Sequence, residues 1–228
     1  MPASRPKVPT RQRRKQARPQ ELLDAALELF VERGFAATKM EDVATLAGVS
    51  KGTLYLYYTS KEDLLKAVIR ERLSNEIAIG AAAVAGHAGS CAELLRTLIE
   101  QWWLRVYDSP ASGVFKLIIT EVRSFPDIAA YYHREVVEPG TRLIGAVVAR
   151  GIASGEFRRV DVEAAVHSLI LPMVMLCIHK HSVGACEPFA ARLDPRDFVH
   201  RHVELLLVAL AAPQTRKAPA TPARKKNA

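Results

Sequence analysis

Apolar residues recur at three- and four-residue spacing from about residue 19 to residue 211, and the strict alternation of half-buried strands is missing. The first stripe consists of Leu22, Leu23, Ala26, Leu27 and Phe30. This period predicts an all-α protein. The predicted helices cover about 19–33, a second helix ending near 47, 51–58, 61 into the eighties, 91–107, 113–124, 127–154, 161–181 and 195–211.

Glycine and proline positions divide this helical pattern. The alanine- and glycine-rich stretch 80–90 predicts a frayed helix end or a loop. Pro139 with Gly140, and Pro172, are expected to bend or break the helices that contain them. Internal repeats are not found.

Residues 41–65 are laid out as two short helices across a tight turn, followed by the start of a third. Gly48 supplies the sharp exit that a helix C-terminus favours, and Ser50 is placed to cap the next helix. Thr38 with Glu41 forms a T-x-x-E pattern, which predicts a capping box for the helix before the turn.

The second of these helices has a small polar tip followed by tyrosines, namely Ser50, Lys51, Gly52, Thr53, Tyr55, Tyr57 and Tyr58. Such a tip can enter a major groove while tyrosine hydroxyls reach phosphates. The segment therefore predicts a helix-turn-helix for double-stranded DNA. The A-x-x-x-G-V-S spacing alone would also allow an ordinary helical hairpin.

Here the chain resembles the TetR/AcrR family of bacterial transcriptional regulators. The matching positions are Gly48, Val49, Ser50, Lys51, Gly52, Thr53, Leu54, Tyr55, Tyr58, Ser60, Lys61, Glu62 and Leu64. Leu56 stands where a second tyrosine is common, and Tyr58 where phenylalanine is usual. The resemblance is dense over about 16–76 and only general beyond.

The resemblance implies a helix-turn-helix domain at 16–76, with its motif at about 39–58, and an effector-binding and dimerisation domain at 77–212. It also implies a homodimer formed by the last two helices on an inverted-repeat operator. Lys51, Gly52 and Thr53 would face base edges, and Tyr55, Tyr57 and Lys61 would hold phosphates. Thr38 would present the next helix to the DNA backbone, and Lys39 and Ser50 complete the expected DNA-binding set.

The net charge of +8 is concentrated at the two ends of the chain. Residues 1–18 carry +7 and residues 213–228 carry +5, so the rest sums to −4. Both ends lack large apolar residues, which predicts a disordered basic arm at 1–15 and a disordered tail at 213–228. The arm precedes the DNA-binding segment and is expected to contact DNA, whereas the tail favours a solubilising role.

Three cysteines without metal or disulfide spacing fit a reducing cytoplasm, and a nucleoid-associated location is expected. The longest apolar run, 168–178, contains Pro172 and is too short to span a bilayer, so no membrane is expected. Catalytic motifs are missing, which predicts a protein that is not an enzyme and has no cofactor or metal. A thiol or metal sensor built from Cys177, His181 and Cys186 remains the weaker alternative to ordinary packing.

A small-molecule site is expected among the middle helices. Its candidate residues are Trp102, Trp103, Tyr107, Phe115, Ile119, Glu121 and Met173. Each of them could equally be core, and Glu121 needs a partner or solvent in its apolar surroundings. The predicted function is a ligand-responsive repressor, and the alternative is a constitutive architectural DNA-binding protein. The pattern gives neither the effector, the operator, nor the sign of the response.

Overall fold

The computed structural model describes residues 10–121, 123–186 and 194–213. Within these ranges the chain is helical, and its only extended pairing is one bridge between Phe157 and Ala211. The helices are α1 (Thr10–Arg33), α2 (Met40–Leu46), α3 (Lys51–Tyr55), α4 (Lys61–Ile69), α5 (Asn75–Gly86), α6 (Cys91–Thr97), α7 (Trp103–Asp108), α8 (Ser112–Glu121), α9 (Pro126–Tyr132), α10 (Glu138–Ala153), α11 (Val162–Lys180), α12 (Val183–Cys186) and α13 (Pro195–Leu210). We call α1–α4 the head and α5–α13 the body.

In the described ranges three long helical paths contain a π-helical segment. In such a segment each backbone hydrogen bond joins residues five apart, instead of four apart as in an α-helix. Arg70–Ser74 joins α4 to α5, Leu98–Trp102 joins α6 to α7, and His133–Val137 joins α9 to α10. Pro139 is the second residue of α10, which follows a π segment directly, so the helical path continues past the proline that is predicted to bend or break it. Because proline lacks an N–H, a helix start is where it costs least.

Several predicted boundaries are wrong. Helix α1 begins at Thr10, so residues 10–15 are not part of a disordered arm. Its first residues are mainly Arg, Gln, Lys and Ala, whose helix propensity outweighs the start signal of Pro19. Helix α5 continues through 80–86, and Pro172 does not end α11. The remaining tail residues, 1–9 and 214–228, lie outside the described ranges.

The head is built around the C-terminal half of α1. The fully buried side chains here are Leu22, Leu27, Phe30, Phe35, Leu54, Leu64 and Leu65. The rings of Phe30 and Phe35 meet edge to face, with centroids 5.2 Å apart. This packing fixes α2 and α3 relative to α1 and α4.

The head also packs directly on the body at the end of α1. A Cβ added to Gly113 in α8 would overlap the side chain of Val31. Lys116 Nζ donates to the Val31 carbonyl at 3.2 Å, and the Phe35 and Phe125 rings lie 4.7 Å apart. The junction therefore adds a second connection to the covalent one through α4.

Helix α11 crosses the body between α8 and α10. Val166, Leu169, Met173 and Cys177 are buried on its inner face. Its outer face carries exposed Leu171 and Met175, and α13 likewise exposes Leu205 and Val208, which is 75% exposed. Together α11 and α13 present an apolar outer surface on this single chain.

The stretch Val162–Ala185 is long and apolar enough to cross a membrane by length and composition alone. The sequence expectation concerns uninterrupted apolar runs, and this stretch contains Glu163 and Lys180. A core helix of a globular protein passes the same test, and α11 packs against α7, α8, α10, α12 and α13.

Candidate functional site

The turn between α2 and α3 has the local chemistry that its sequence predicts. Gly48 has φ +65, and the Val49 amide bonds the Ala44 carbonyl at 2.9 Å, as in a glycine C-cap. The Ser50 hydroxyl accepts from the Thr53 amide at 3.1 Å, so Ser50 caps α3. Ser60 caps α4 in the same way through the Asp63 amide.

One face of the head presents the tip of α3 to solvent. The exposed residues of the expected DNA-binding set are Lys39, Ser50, Lys51, Gly52, Tyr55 and Tyr57. Thr53 is half-buried, and its hydroxyl lies 2.9 Å from that of Ser50. Leu56, which sequence reasoning did not include, is 84% exposed beside the tyrosines. Its departure from the family pattern was the available signal.

Lys51 is not free at this tip. Its ammonium pairs with the Glu41 carboxylate on α2 and lies 5.8 Å from the centre of the Tyr55 ring. The hydrogen bond to Glu41 raises the pKa of Lys51, and the same bond lowers the pKa of Glu41. Both side chains are more than half exposed, so the pair exchanges readily with another partner. Sequence reasoning missed Glu41 because the pair closes across the turn.

Lys61, which is expected to contact a phosphate, bonds the protein's own backbone in this structure. Its ammonium donates to three carbonyl oxygens in the turn after α1, those of Phe35, Ala36 and Thr38, at 2.7, 3.0 and 3.0 Å. An ammonium has three donors, so all are in use. Lys61 also lies over the Phe35 ring at 4.6 Å. Lys61 therefore fastens the turn after α1, and its phosphate contact stays a prediction.

The expected capping role of Thr38 is also wrong. Thr38 is 1% exposed, and its hydroxyl lies 2.8 Å from the Gly34 carbonyl and 3.2 Å from that of Leu29. Lys39 occupies the N-cap of α2 without a side-chain hydrogen bond, and Glu41 turns to Lys51. The hydroxyl of Thr38 fastens the α1–α2 turn, and its predicted place at the DNA backbone stays a prediction.

The body contains a cavity of about 260 Å³ that opens to the surface at the exposed Ile119 and Leu171, slightly smaller than typical small-molecule pockets. Trp102, Trp103, Phe115 and Ile119 of the expected ligand set line it. Residues that sequence reasoning missed complete most of the wall, among them Ile77, Gly80, Leu98, Ile99, Tyr132, Val136, Val137, Leu143, Ile144, Ile170, Leu171 and Val174. We call this space the body cavity.

Three of the expected ligand residues lie elsewhere. Met173 is core, at 1% exposure, and Tyr107 lies under the Lys180 ammonium, 4.6 Å from its ring centre. Glu121 is directed at the head, where its carboxylate lies 3.3 Å from a Cβ position on Gly34. Its helix position explains this, because Phe115, Ile118 and Ile119 occupy the cavity side of α8.

The few polar groups at the body cavity are mostly engaged. Glu76 pairs with Arg105 at 3.3 Å. The Thr141 hydroxyl lies 2.9 Å from the Val137 carbonyl. Burial raises the pKa of the Tyr132 phenol, so this side chain stays neutral at physiological pH. The wall therefore combines a large apolar surface with two neutral hydroxyls, of which that of Thr141 is already bonded.

The weaker sensor alternative finds no support in the described side chains. Burial raises the pKa of Cys177 to about 12, so its thiol stays protonated and unreactive. His181 lies 2.7 Å from the Ser112 hydroxyl, and burial lowers its pKa. The side chain of Cys186 lies outside the described part of the structure.

A different group has ligand atoms close enough to hold a metal ion. It consists of Glu100, His200 and Glu204, whose ligand atoms lie within 4.8 Å of one another. His200 already bonds Glu100 at 2.8 Å, and Arg96 bonds Glu204 at 2.5 Å. These two pairs join α13 to the α6–α7 helix. The positive charge of the Arg96 guanidinium would repel a metal cation bound beside it.

Comparison with known proteins agrees with this geometry. The family model of bacterial regulatory proteins of the tetR family matches residues 22–68. The model of a tetracyclin repressor-like C-terminal domain matches residues 85–193. The two matches together cover more than half of the chain and follow the observed order of head and body.

Individual relatives are more distant. The fatty acid metabolism regulator protein of Bacillus subtilis is 27% identical over 154 residues, which is 66% of this chain and 78% of that protein. The regulator RutR of Escherichia coli is 46% identical over 63 residues, which is 28% of this chain and 30% of that protein. The latter match therefore spans under a third of either chain.

Two solved structures share the fold. The transcriptional regulator FadR from Bacillus subtilis in complex with stearoyl-CoA gives a TM-score of 0.69 at 22% identity, over 84% of this chain and 98% of that one. The ketosteroid transcriptional regulator KstR2 of Mycobacterium tuberculosis gives 0.63 at 21% identity, over 85% and 95%. The helix-turn-helix geometry and both family matches lead to one assignment: the chain belongs to the TetR family of DNA-binding transcriptional regulators.

Proposed function

We propose that this protein is a ligand-responsive repressor that a small apolar effector releases from an inverted-repeat operator. The single observation that carries the proposal is the body cavity, whose wall includes Ile77 and Gly80. Both residues lie on α5, which is one continuous helical path with α4 of the head. An occupant of the cavity therefore touches the element that carries the DNA-binding face.

For DNA recognition we propose the exposed tip of α3, in a DNA-binding domain that spans residues 16–76. Lys51, Gly52 and Thr53 would approach base edges in the major groove, and Tyr55 and Tyr57 would hold phosphates. Ser50 and the exposed Lys39 border the same surface. Thr38 and Lys61 are left out of this proposal because their polar atoms are engaged within the head.

For assembly we propose a homodimer through α11 and α13, within an effector-binding and dimerisation domain that spans residues 77–212. The exposed Leu171, Met175, Leu205 and Val208 would be buried against a second copy. Apolar surface of this kind on a single chain marks an interaction site. A two-fold axis would then place the half-sites of the operator about 34–36 Å apart, or at multiples of that spacing.

The proposed response works through the connector, which we define as α4, Arg70–Ser74 and α5. A ligand that prefers one tilt of the connector would alter the separation of the two α3 helices in the dimer. The ligand can shift the equilibrium between the DNA-binding and the released conformation only by its difference in affinity for the two. Changing their population ratio from 99:1 to 1:99 requires a difference of roughly 5.5 kcal/mol. The head–body junction at Val31 and Gly113 would move with it.

The effector is proposed to be apolar because the described cavity wall is apolar in all but a few positions. The relative FadR was solved with stearoyl-CoA, which has a long apolar chain. Its similarity supports an effector of that general character and does not fix the identity. The described residues serve binding rather than catalysis in this proposal, which places a non-enzymatic regulator in the cytoplasm.

The test starts from DNA fragments selected by the purified full-length protein from its own genome. Fluorescence anisotropy would measure the affinity for a selected fragment at fixed salt, with and without apolar compounds that raise the thermal stability. The expected result is an inverted repeat whose binding weakens at least tenfold with such a compound. A compound that binds stoichiometrically yet leaves operator affinity unchanged would reject the effector response.

A further inference from the structure

We propose that Tyr132 is the polar anchor of the body cavity, and that the effector is a neutral apolar molecule carrying a hydrogen-bond-accepting oxygen such as a carbonyl. This inference rests on the proposed function, because it concerns the ligand of the same cavity. It narrows the ligand from an apolar compound to one chemical class.

Tyr132 ends α9, and its side chain lines the body cavity. Its side chain is half-buried, and no side-chain or backbone group of the described residues bonds its hydroxyl. Burial also raises the pKa of the phenol, so the hydroxyl keeps its proton as a donor. A neutral donor at an apolar wall is satisfied by an acceptor on the occupant.

The neighbouring polar groups are less available. Thr141 directs its hydroxyl to the carbonyls of Val137 and Glu138, at 2.9 and 3.1 Å. Trp102, also in the wall, contributes an indole N–H that is buried and lacks a hydrogen-bond partner among the described residues. An indole is a donor only. The uncommitted groups of the wall therefore favour an acceptor on the ligand.

Charge at the body cavity argues against an ionic ligand group within it. The carboxylate of Glu76 is compensated by Arg105, and Glu121, the carboxylate expected from sequence, faces the head instead. A lipophilic cation would lack an uncompensated carboxylate in the described wall, and burying an unpaired charge is costly. His167 is exposed where it contributes to the wall.

The test uses the full-length protein and isothermal titration with three probes of similar apolar size: methyl octanoate, octylammonium and nonane. The expected order is tightest for the ester and weakest for the ammonium ion. The variant Tyr132→Phe removes only the hydroxyl and is expected to weaken the ester roughly tenfold while leaving nonane unchanged. The matched control Tyr107→Phe changes a tyrosine outside the cavity and is expected to leave all three affinities unchanged.

Two results would overturn the inference while the proposed function stands. One is an ester affinity in Tyr132→Phe equal to that of the wild-type protein. The other is octylammonium binding as tightly as the ester. If Tyr132→Phe weakens ester and nonane equally, the tyrosine acts by packing alone and the anchor is also rejected. If none of the probes binds, the effector site fails, and the proposed function fails with it.

Discussion

Gly113 and Val31 meet so closely that the body helix α8 has no room for a side chain at this point, because a Cβ would overlap the valine methyl groups. The contact joins the end of α1 to the first turn of α8. Two residues further along, Phe115 lines the body cavity. One short helix thus touches both the head and the cavity.

Gly113→Ala is expected to push α8 away from α1 and to lower the free energy of unfolding by about 1–3 kcal/mol, as overpacking does. Urea unfolding measures this loss. Gly145→Ala is the matched control, since its Cβ would lie 3.6 Å from the side chains of Val162 and Val166, an ordinary contact. Equal unfolding curves for the two variants would contradict the tight junction.

Lys61→Met should leave three turn carbonyls without their charged donor and destabilise the head by about 1.5–3 kcal/mol. The salt dependence of operator binding should keep its wild-type slope. Lys39→Met is the comparison, because Lys39 is exposed and proposed to face DNA. It should leave stability unchanged and reduce the salt slope by about one unit. A reduced slope in Lys61→Met, with normal stability, would restore its phosphate role.

Glu41→Gln should release Lys51 from its carboxylate partner. The freed ammonium is then available to phosphates of any sequence, so non-operator DNA should bind more tightly and the salt slope should steepen by about one unit. Asp42→Asn makes the same charge change at a residue that lies 3.8 Å from Arg33 instead. Identical gains in both variants would show a general charge effect and no role for the pair.

Leu205→Asp together with Val208→Asp should abolish the proposed dimer, since both residues are exposed on α13 and charges would be buried against the partner. Light scattering at micromolar concentration is expected to give a monomer. Ile79→Asp, which changes an exposed residue of α5, should leave the dimer intact. A dimeric double variant would place the interface elsewhere.

Glu156→Gln should destabilise the body by about 1–3 kcal/mol at neutral pH. Burial alone would raise the pKa of Glu156, but bonds from the Ser90 hydroxyl and the Ala92 and Cys91 amides lower it overall. Because the pKa of Glu156 is lower in the folded protein than its ordinary value of 4.5, the ionised carboxylate stabilises the fold at pH values above 4.5. This stabilisation is lost as the pH falls through the pKa of the folded state. The difference between the variant and the wild-type protein, measured by urea unfolding, should therefore shrink in acid. A difference that does not vary with pH would contradict it.

The features that sequence predicts correctly depend on neighbouring residues. Gly48 adopts a positive φ. Ser50 and Ser60 accept hydrogen bonds from the backbone amides three residues later. Residues within one helical turn therefore determine each of these features. The all-α class follows from the same short-range period. These signals are strong because no distant contact competes with them.

The contacts that sequence did not predict join residues far apart in the chain. Lys61 finds its carbonyl partners 23 to 26 residues earlier, and a motif position cannot show that its donors are already in use. Glu121 and Phe115 lie on one helix, yet only the packing of α8 shows which of them faces the body cavity. Tyr132 was missed because a tyrosine after Pro126 looks like any core aromatic residue.

The π segments of the body have a consequence for how a signal can travel. Trp102 ends Leu98–Trp102 and Val136 lies within His133–Val137, so these two segments border the body cavity, while Glu76, two residues after Arg70–Ser74, lines it from α5. A wider turn inside a continuous helix marks a place where the hydrogen-bond pattern can change its pairing without the helix unfolding. A ligand in the body cavity could then rotate the connector about its own axis without unfolding it. The rotation would reach the head, which carries the DNA-binding face.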